Sequence, residues 1–249
     1  MLARTALVLA LACLLVAIAA GVGHRQRIWS YRVGFTILAI AVLGAVASAA
    51  LALAHLALLW RGAAEGGGVV AAEALVLGLL VAVPPLVLAL NGTRLPRIHD
   101  ISTDTDNPPA FVALRAERVG TDNPAEYGGP EIARHQRQAY PDVRPLRLSA
   151  APSVVFAAAF EAARELGWRI VARNEATGRI EAADRTLWFG FVDDVVVRVT
   201  EEPGGTRVDV RSASRVGTSD FGRNARRIRL FLRELRRQID AGVRRGPQQ

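Results

Sequence analysis

The chain has a single cysteine, Cys13, and it lies inside a run of aliphatic residues near the start. An intrachain disulfide, a Cys-ligated metal cluster and a cysteine nucleophile in the rest of the chain are therefore excluded. Lysine is absent, so all 31 basic residues are arginine, a compositional bias without functional content. Histidine is scarce: His24, His55, His99 and His135, the first two within the aliphatic region. A Ser-His-Asp triad has few possible members, and no Gly-x-Ser-x-Gly elbow exists to present a serine. Acidic residues are nearly missing from positions 1–97, where only Glu65 and Glu73 occur.

What fills that acid-poor third is aliphatic. Residues 2–22, 33–60 and 69–90 form three runs, the second without any charge and with His55 as its only ionisable side chain. About 20 apolar residues suffice to cross a hydrocarbon core of roughly 30 Å, so each run predicts a membrane span. Trp29, Tyr31 and Trp60 sit at run ends, where amphipathic rings favour the interface. The first run also resembles a cleavable signal peptide, with Ala17-Ile18-Ala19 as the cleavage pattern. Its length and the return to the membrane ten residues later favour an uncleaved span. Gly44 and Ser48 have the small-xxx-small spacing that lets helices approach. Pro84-Pro85 is expected to kink or break the third helix. His55 and Glu73 are read as near-interface groups that reach water beside the 61–68 turn.

Net charge is +5 over 1–97, −4 over 98–222 and +7 over 223–249, so the overall +8 does not describe the domain body. No stretch resembles a DNA- or RNA-binding module, and nucleic acid is not an expected partner. Arg25, Arg27, Arg32, Arg94 and Arg97 fall on one side of three spans, and Arg4 and Arg61 on the other. That excess places the C-terminal domain in the cytoplasm.

Residues 93–152 are dense in turn formers and, with their end, hold eight of the twelve prolines. Long helices and central strands are unfavourable there, apart from a short helix at 131–139. From 153 to 241 the pattern is regular. Pro152 and Ser153 start a helix, Ser153 as its cap, with Val154, Val155, Ala158, Ala162 and Leu166 at helical spacing. Strands are expected at 168–172, 179–183, 186–191, 195–200 and 206–212. A final helix over 220–241 carries an apolar stripe of Phe221, Ala225, Ile228, Leu232, Leu235 and Ile239 among seven arginines, Arg223 to Arg237, that form a solvated polar face. Residues 242–249 are expected to be a disordered tail. The order predicts an α+β fold in two layers, about five antiparallel strands with both helices on one face.

Four blocks in order resemble one known family: residues 98–109 (IHDISTDTDNPP), Tyr140-Pro141-Asp142, residues 189–199 (FGFVDDVVVRV) and residues 209–220 (DVRSASRVGTSD). They are similar to the domain of unknown function DUF1499, over roughly 95–238. The resemblance implies a membrane-associated protein of the bacterial envelope and a domain on the extracytoplasmic side, against the arginine excess. It implies no catalytic residues, because the family has no assigned activity. The helix–sheet–helix order is also similar, in topology alone, to small helix-grip domains of envelope lipoproteins.

Several clusters could carry chemistry. His99, Asp100, Asp104, Asp106 and Asn107 form the densest group of potential ligands. Asp104-Thr105-Asp106 opens like a calcium loop, but the glycine at the sixth position and the glutamate at the twelfth are missing. Capping of turns before the prolines is the expected role. Asp193-Asp194 could pair for acid–base work, but is expected to be a two-residue hairpin turn. Ser214, Arg215, Ser219, Asp220 and Asn224 lead into the last helix, where Ser219 or Asp220 is the expected cap and an anion could bind. The leading expectation is a membrane-anchored, non-enzymatic binding or assembly domain. Its partners would be the lipid bilayer and an envelope protein or small ligand, with no metal or cofactor. The alternative is a metal-assisted, hydrolase-like enzyme built on His99, Asp100, Asp104 and Asp106.

Overall fold

The computed structural model describes residues 1–245, the side chains of 242–245 excepted, so the expected tail at 242–249 lies outside the described residues apart from helical backbone to Arg245. The chain divides into two compact units, one formed by Met1–Thr93 with Thr186–Gly190 and the other by the rest.

The first unit is built on three helices, α1 (Leu2–Arg25), α2 (Tyr31–Trp60) and α3 (Gly68–Gly92), each long and apolar enough to cross a membrane. Their packing is inverted relative to a water-soluble bundle. Ala6, Ala45, Ala52 and Ala74 are fully buried, while Ile40, Leu43 and Leu80 point outward. Small residues inside and large ones outside is the arrangement expected where lipid, not water, surrounds the bundle. Gly78 marks one close approach: a Cβ there would lie 2.9 Å from the Ala45 carbonyl oxygen. Ser48 donates to the Ala6 carbonyl at 2.7 Å, and an added Cβ at Gly44 would crowd the Cys13 sulfur, so the Gly44/Ser48 face is a helix contact. His55 bonds the Gly66 carbonyl oxygen at 3.0 Å, and Glu73 is exposed. The third helix is not broken at Pro84-Pro85 but continues to Gly92. Two missing N–H donors are tolerated in such a helix when neighbours re-satisfy the freed groups.

The second unit is α+β, as its periodicity predicts. Its long strands are β3 (Arg169–Asn174), β4 (Arg179–Arg185), β5 (Val192–Glu202) and β6 (Gly205–Ser214), after β1 (Asp100–Ser102) and β2 (Leu146–Leu148) in the Pro-rich arm. All pair antiparallel in the order β1-β6-β5-β4-β3, with β2 also on β6. Ile101 stands opposite Ser212 and Leu146 opposite Val208, so β1 and β2 occupy the two halves of one edge of β6. The arm also contains a 3-10 turn (Ala113–Arg118) and α4 (Gly129–Ala139).

On one face, Ile180, Ala182, Val195, Val197, Val199, Val208 and Val210 meet α5 (Pro152–Glu165) and α6 (Arg223–Arg245). Val155, Phe156 and Ala159 come from α5, and Ile228, Phe231 and Leu235 from α6. Trp168 stacks on Phe231 with ring centroids 5.2 Å apart. The other face is not left to solvent. Phe111 and Leu114 of the arm pack there on Ala183, Val196 and Ala213.

Five local expectations are corrected. Residues 186–191 are turn and irregular backbone, and Asp193-Asp194 lies inside β5 rather than in a turn. The alternation at 186–191 came from Leu187, Phe189 and Phe191, but residues 186–190, with the Trp188 and Phe189 rings, belong to the first unit rather than the sheet. Helix α5 is capped at Ala151, whose methyl side chain offers no acceptor, and Pro152 at its first position removes one of the unpaired amides of the first turn. Its buried stripe is Val155, Phe156, Ala159, Ala162 and Ala163, and Val154 is exposed. Helix α6 begins at Arg223, leaving Phe221 half-exposed with φ 53° rather than in the stripe.

Candidate functional site

Alternation along β4, β5 and β6 sends a set of charged side chains to the arm face, where apolar ones would be expected to bury. Asp194 of β5 follows the phase of Val196; Asp209 and Arg211 of β6 follow that of Ala213. Arg211 is 2% exposed. Its Nε and Nη2 donate to the two Asp100 carboxylate oxygens at 2.9 and 2.7 Å, a bidentate pair. The same guanidinium donates to the carbonyls of Pro109 and Ala125 and lies over the Phe111 ring at 4.6 Å from its centroid. Arg118 covers the same ring at 5.3 Å.

Arg118, also buried, donates to Asp194 at 2.8 Å and to the carbonyls of Ala213, Ser214 and Pro124. Arg215 donates to the other Asp194 oxygen at 2.8 Å and to Glu117 at 2.7 Å. Glu117 is held below the usual glutamate range by hydrogen bonds from Arg169 and Arg215. Glu181 of β4 is 1% exposed and caps the 3-10 turn, accepting from the amides of Val112, Ala113 and Leu114 at 2.9–3.1 Å. Carboxylates at a helical N-terminus satisfy amides that have no intrahelical acceptor.

A second cluster lies under α6. Arg227 reaches Asp193 at 2.6 Å, Asp184 at 2.7 Å and the Asn224 side-chain oxygen at 2.6 Å. It is thus buried, an exception to the expected solvated face of the helix. Asn224 donates to the His99 carbonyl and to the Ser214 hydroxyl, tying β1 and β6 to the helix start. Asp220 accepts from the amides of Gly222 and Asn224, each at 2.8 Å, as a cap for α6, while Ser219 accepts from Phe221 N. Burial raises the Asp220 carboxyl above its ordinary value.

The residues singled out in the sequence are dispersed. Asp100 pairs with Arg211. Asp104 pairs with Arg198 and Arg207 at 3.1 and 2.7 Å, and its other oxygen caps the amides of Asp106 and Asn107. Asp106 meets Arg137 at 3.4 Å on the surface. The Nδ1 atom of His99 is buried without a hydrogen-bond partner, and burial lowers the pKa of the ring. Asp193 and Asp194 point to opposite sheet faces, the first toward Arg227 and the second toward Arg118 and Arg215. Among the described residues, no group of three or more His, Cys, Asp and Glu side chains is placed to hold a metal ion. A shallow groove along α6 is lined by Arg233, Arg236, Arg237 and Asp240, away from all of these.

The sequence model described as "Protein of unknown function (DUF1499)" matches residues 100–235, more than half of the chain. The chain belongs to the DUF1499 family. No curated protein matches it. The DUF1499 match begins at Asp100 of β1 and ends at Leu235 of α6, so it takes in the arm, the sheet and both charged clusters. Arg118, Glu181, Asp184 and Arg227, all central to those clusters, were not singled out by motif, and Asp209 and Arg211 entered only as part of the 209–220 block. Phase could have shown where Asp193 and Arg227 point: Asp193 continues the Val195, Val197, Val199 alternation, and Arg227 falls in step with Asn224 and Phe231.

Proposed function

We propose that this DUF1499 protein is a multi-pass membrane protein of the bacterial inner membrane whose C-terminal domain is a non-enzymatic binding or assembly module. The observation that carries this reading is the partnering of the carboxylates. Asp100, Asp104, Asp193 and Asp194 each have a guanidinium within 2.8 Å, whereas Asp106 meets Arg137 only on the exposed surface. A carboxylate so paired is neutralised and geometrically occupied, and a divalent cation would have to displace a charge-assisted bond at each one. The clusters instead fasten the arm and α6 to the sheet, which yields a rigid domain with its outer surface free for a partner. The anchoring reading draws on the inverted packing of α1–α3.

In vivo crosslinking of the full-length chain followed by purification in detergent tests the binding reading. A defined crosslinked partner supports it. Turnover by the purified protein that is lost in Asp104→Asn and His99→Ala variants overturns it in favour of a membrane-bound enzyme. A reporter fused at the C-terminus reads sidedness, cytoplasmic by arginine distribution and periplasmic by family resemblance.

A further inference from the structure

The segment 186–190 leaves the sheet after β4 and belongs with the helical unit. Two glycines make its seat. A Cβ on Gly21 of α1 would overlap the Trp188 indole, and a Cβ on Gly34 of α2 would stand 3.0 Å from the Phe189 ring. Phe189 packs on Phe35 with centroids 5.1 Å apart, and Trp188 meets Phe189 edge-on at 5.1 Å. The Arg25 guanidinium donates to the carbonyls of Thr186 and Leu187. Those acceptors are thereby satisfied, which lowers the cost of moving the loop out of water.

With the backbone so provided for, the side chains at the tip still face outward. Leu187 is 87% exposed and Trp188 40%. Where α1 ends and α2 begins, the stretch that holds Phe35 against Phe189 also carries Trp29, Tyr31 and the exposed Ile28, interspersed with Arg25, Arg27 and Arg32. Aromatic rings, aliphatic side chains and arginines at helix ends are the composition of a membrane–water boundary.

We propose that residues 186–190 form an interfacial membrane anchor, with Leu187 and the outer edge of Trp188 seated in the headgroup–acyl boundary of the bilayer that α1 and α2 cross. The proposal rests on the multi-pass reading above. It adds a lipid contact from a sheet connection, beyond the spans themselves.

The test is spin-label accessibility in the full-length protein, reconstituted in phosphatidylcholine–phosphatidylglycerol vesicles in a Cys13→Ala background. Single labels go at Leu187→Cys, at Leu43→Cys on the outer face of α2, and at Val119→Cys on the arm, where the side chain is 82% exposed. The expected ratio of oxygen to nickel-chelate accessibility is several-fold higher at Leu187 than at Val119, and highest at Leu43. A Gly21→Leu change, which evicts the Trp188 ring, should bring the Leu187 ratio down to that of Val119. If Leu187 reads as aqueous while Leu43 reads as lipid, the anchor is wrong and the spans stand. An aqueous reading at Leu43 removes both. A label at Leu187 shielded from both reagents means protein cover, which also overturns the proposal.

Discussion

Replacing Glu181 with glutamine leaves size and shape intact but changes what the 3-10 turn is fastened to. The carboxylate accepts four bonds from three amides, with Val112 N shared between its two oxygens. In Glu181→Gln one oxygen becomes an NH2 group that faces amide donors, so at least one buried amide loses its acceptor and the bonds that persist lose their charge. A hydrogen bond to a charged group is worth about 1.5–3 kcal/mol, and an orphaned buried donor costs about 1–3 kcal/mol. Together these remove about 3 kcal/mol from the attachment of the turn, which at 1.4 kcal/mol per decade is about a 100-fold increase in local opening. Hydrogen exchange of the full-length protein in detergent reads this directly. The peptide covering 112–118 should exchange about 100-fold faster, while β5 amides keep their protection. An exposed pair such as Arg173–Glu175, 3.5 Å apart, serves as control, since Glu175→Gln should change nothing beyond about 0.5 kcal/mol. Unchanged exchange at 112–118, or an equal loss throughout β5, would refute the idea that Glu181 is a local clasp.

Arg211→Lys keeps the charge but loses the two-pronged fit to Asp100, and should lower the stability of the domain by about 3 kcal/mol, read as a lower thermal midpoint in detergent. The Glu117 pKa is depressed in the folded state, so its contribution is present above the ordinary glutamate value and is lost as pH falls through the folded one. Because Glu117 is partly solvated, Glu117→Gln should flatten the acid limb of the midpoint-versus-pH curve by under about 1 kcal/mol. Burial pushes the Tyr140 phenol up to about 12, so its contribution is complete below the ordinary tyrosine value and vanishes as pH climbs to that figure. Tyr140→Phe should remove this alkaline loss and shift neutral-pH stability by no more than about 0.5 kcal/mol, because the hydroxyl has no hydrogen bond to lose. Gly78→Leu should push α3 off α2 and cost about 1–3 kcal/mol, measured as faster unfolding in denaturing detergent.

What could be read from the sequence was what repeats locally. Three aliphatic runs give three helices, and Val195, Val197 and Val199 give one face of a strand, because both signals sit within a dozen residues. The arm face could not be read that way. Arg207, Asp209 and Arg211 alternate with valines just as a solvent-facing row would. Only the arrival of Phe111 and Leu114, about a hundred residues earlier in the chain, makes that row an interior. Arg227 was hidden for the opposite reason: it is one arginine among seven, and the carboxylates that bury it come from β4 and β5. For the same reason His99, Asp100, Asp104 and Asp106, adjacent in sequence, looked like one site. The arginine partners of the three aspartates sit on different strands and on α4, and those partners pull them apart.

Because both ends of the arm pair with β6, the order of synthesis matters. Asp100 to Ser102 leave the ribosome more than a hundred residues before their partners Arg211 to Ala213. At about 5–20 residues per second, the nascent arm waits about 5–20 s with its edge unmatched. During that interval the arm's first strand has no partner, although the contacts of its 3-10 turn with β4 and β5 can form before β6. Any translational pause before Gly205 prolongs the exposure, and a chain released there could not close the domain at all.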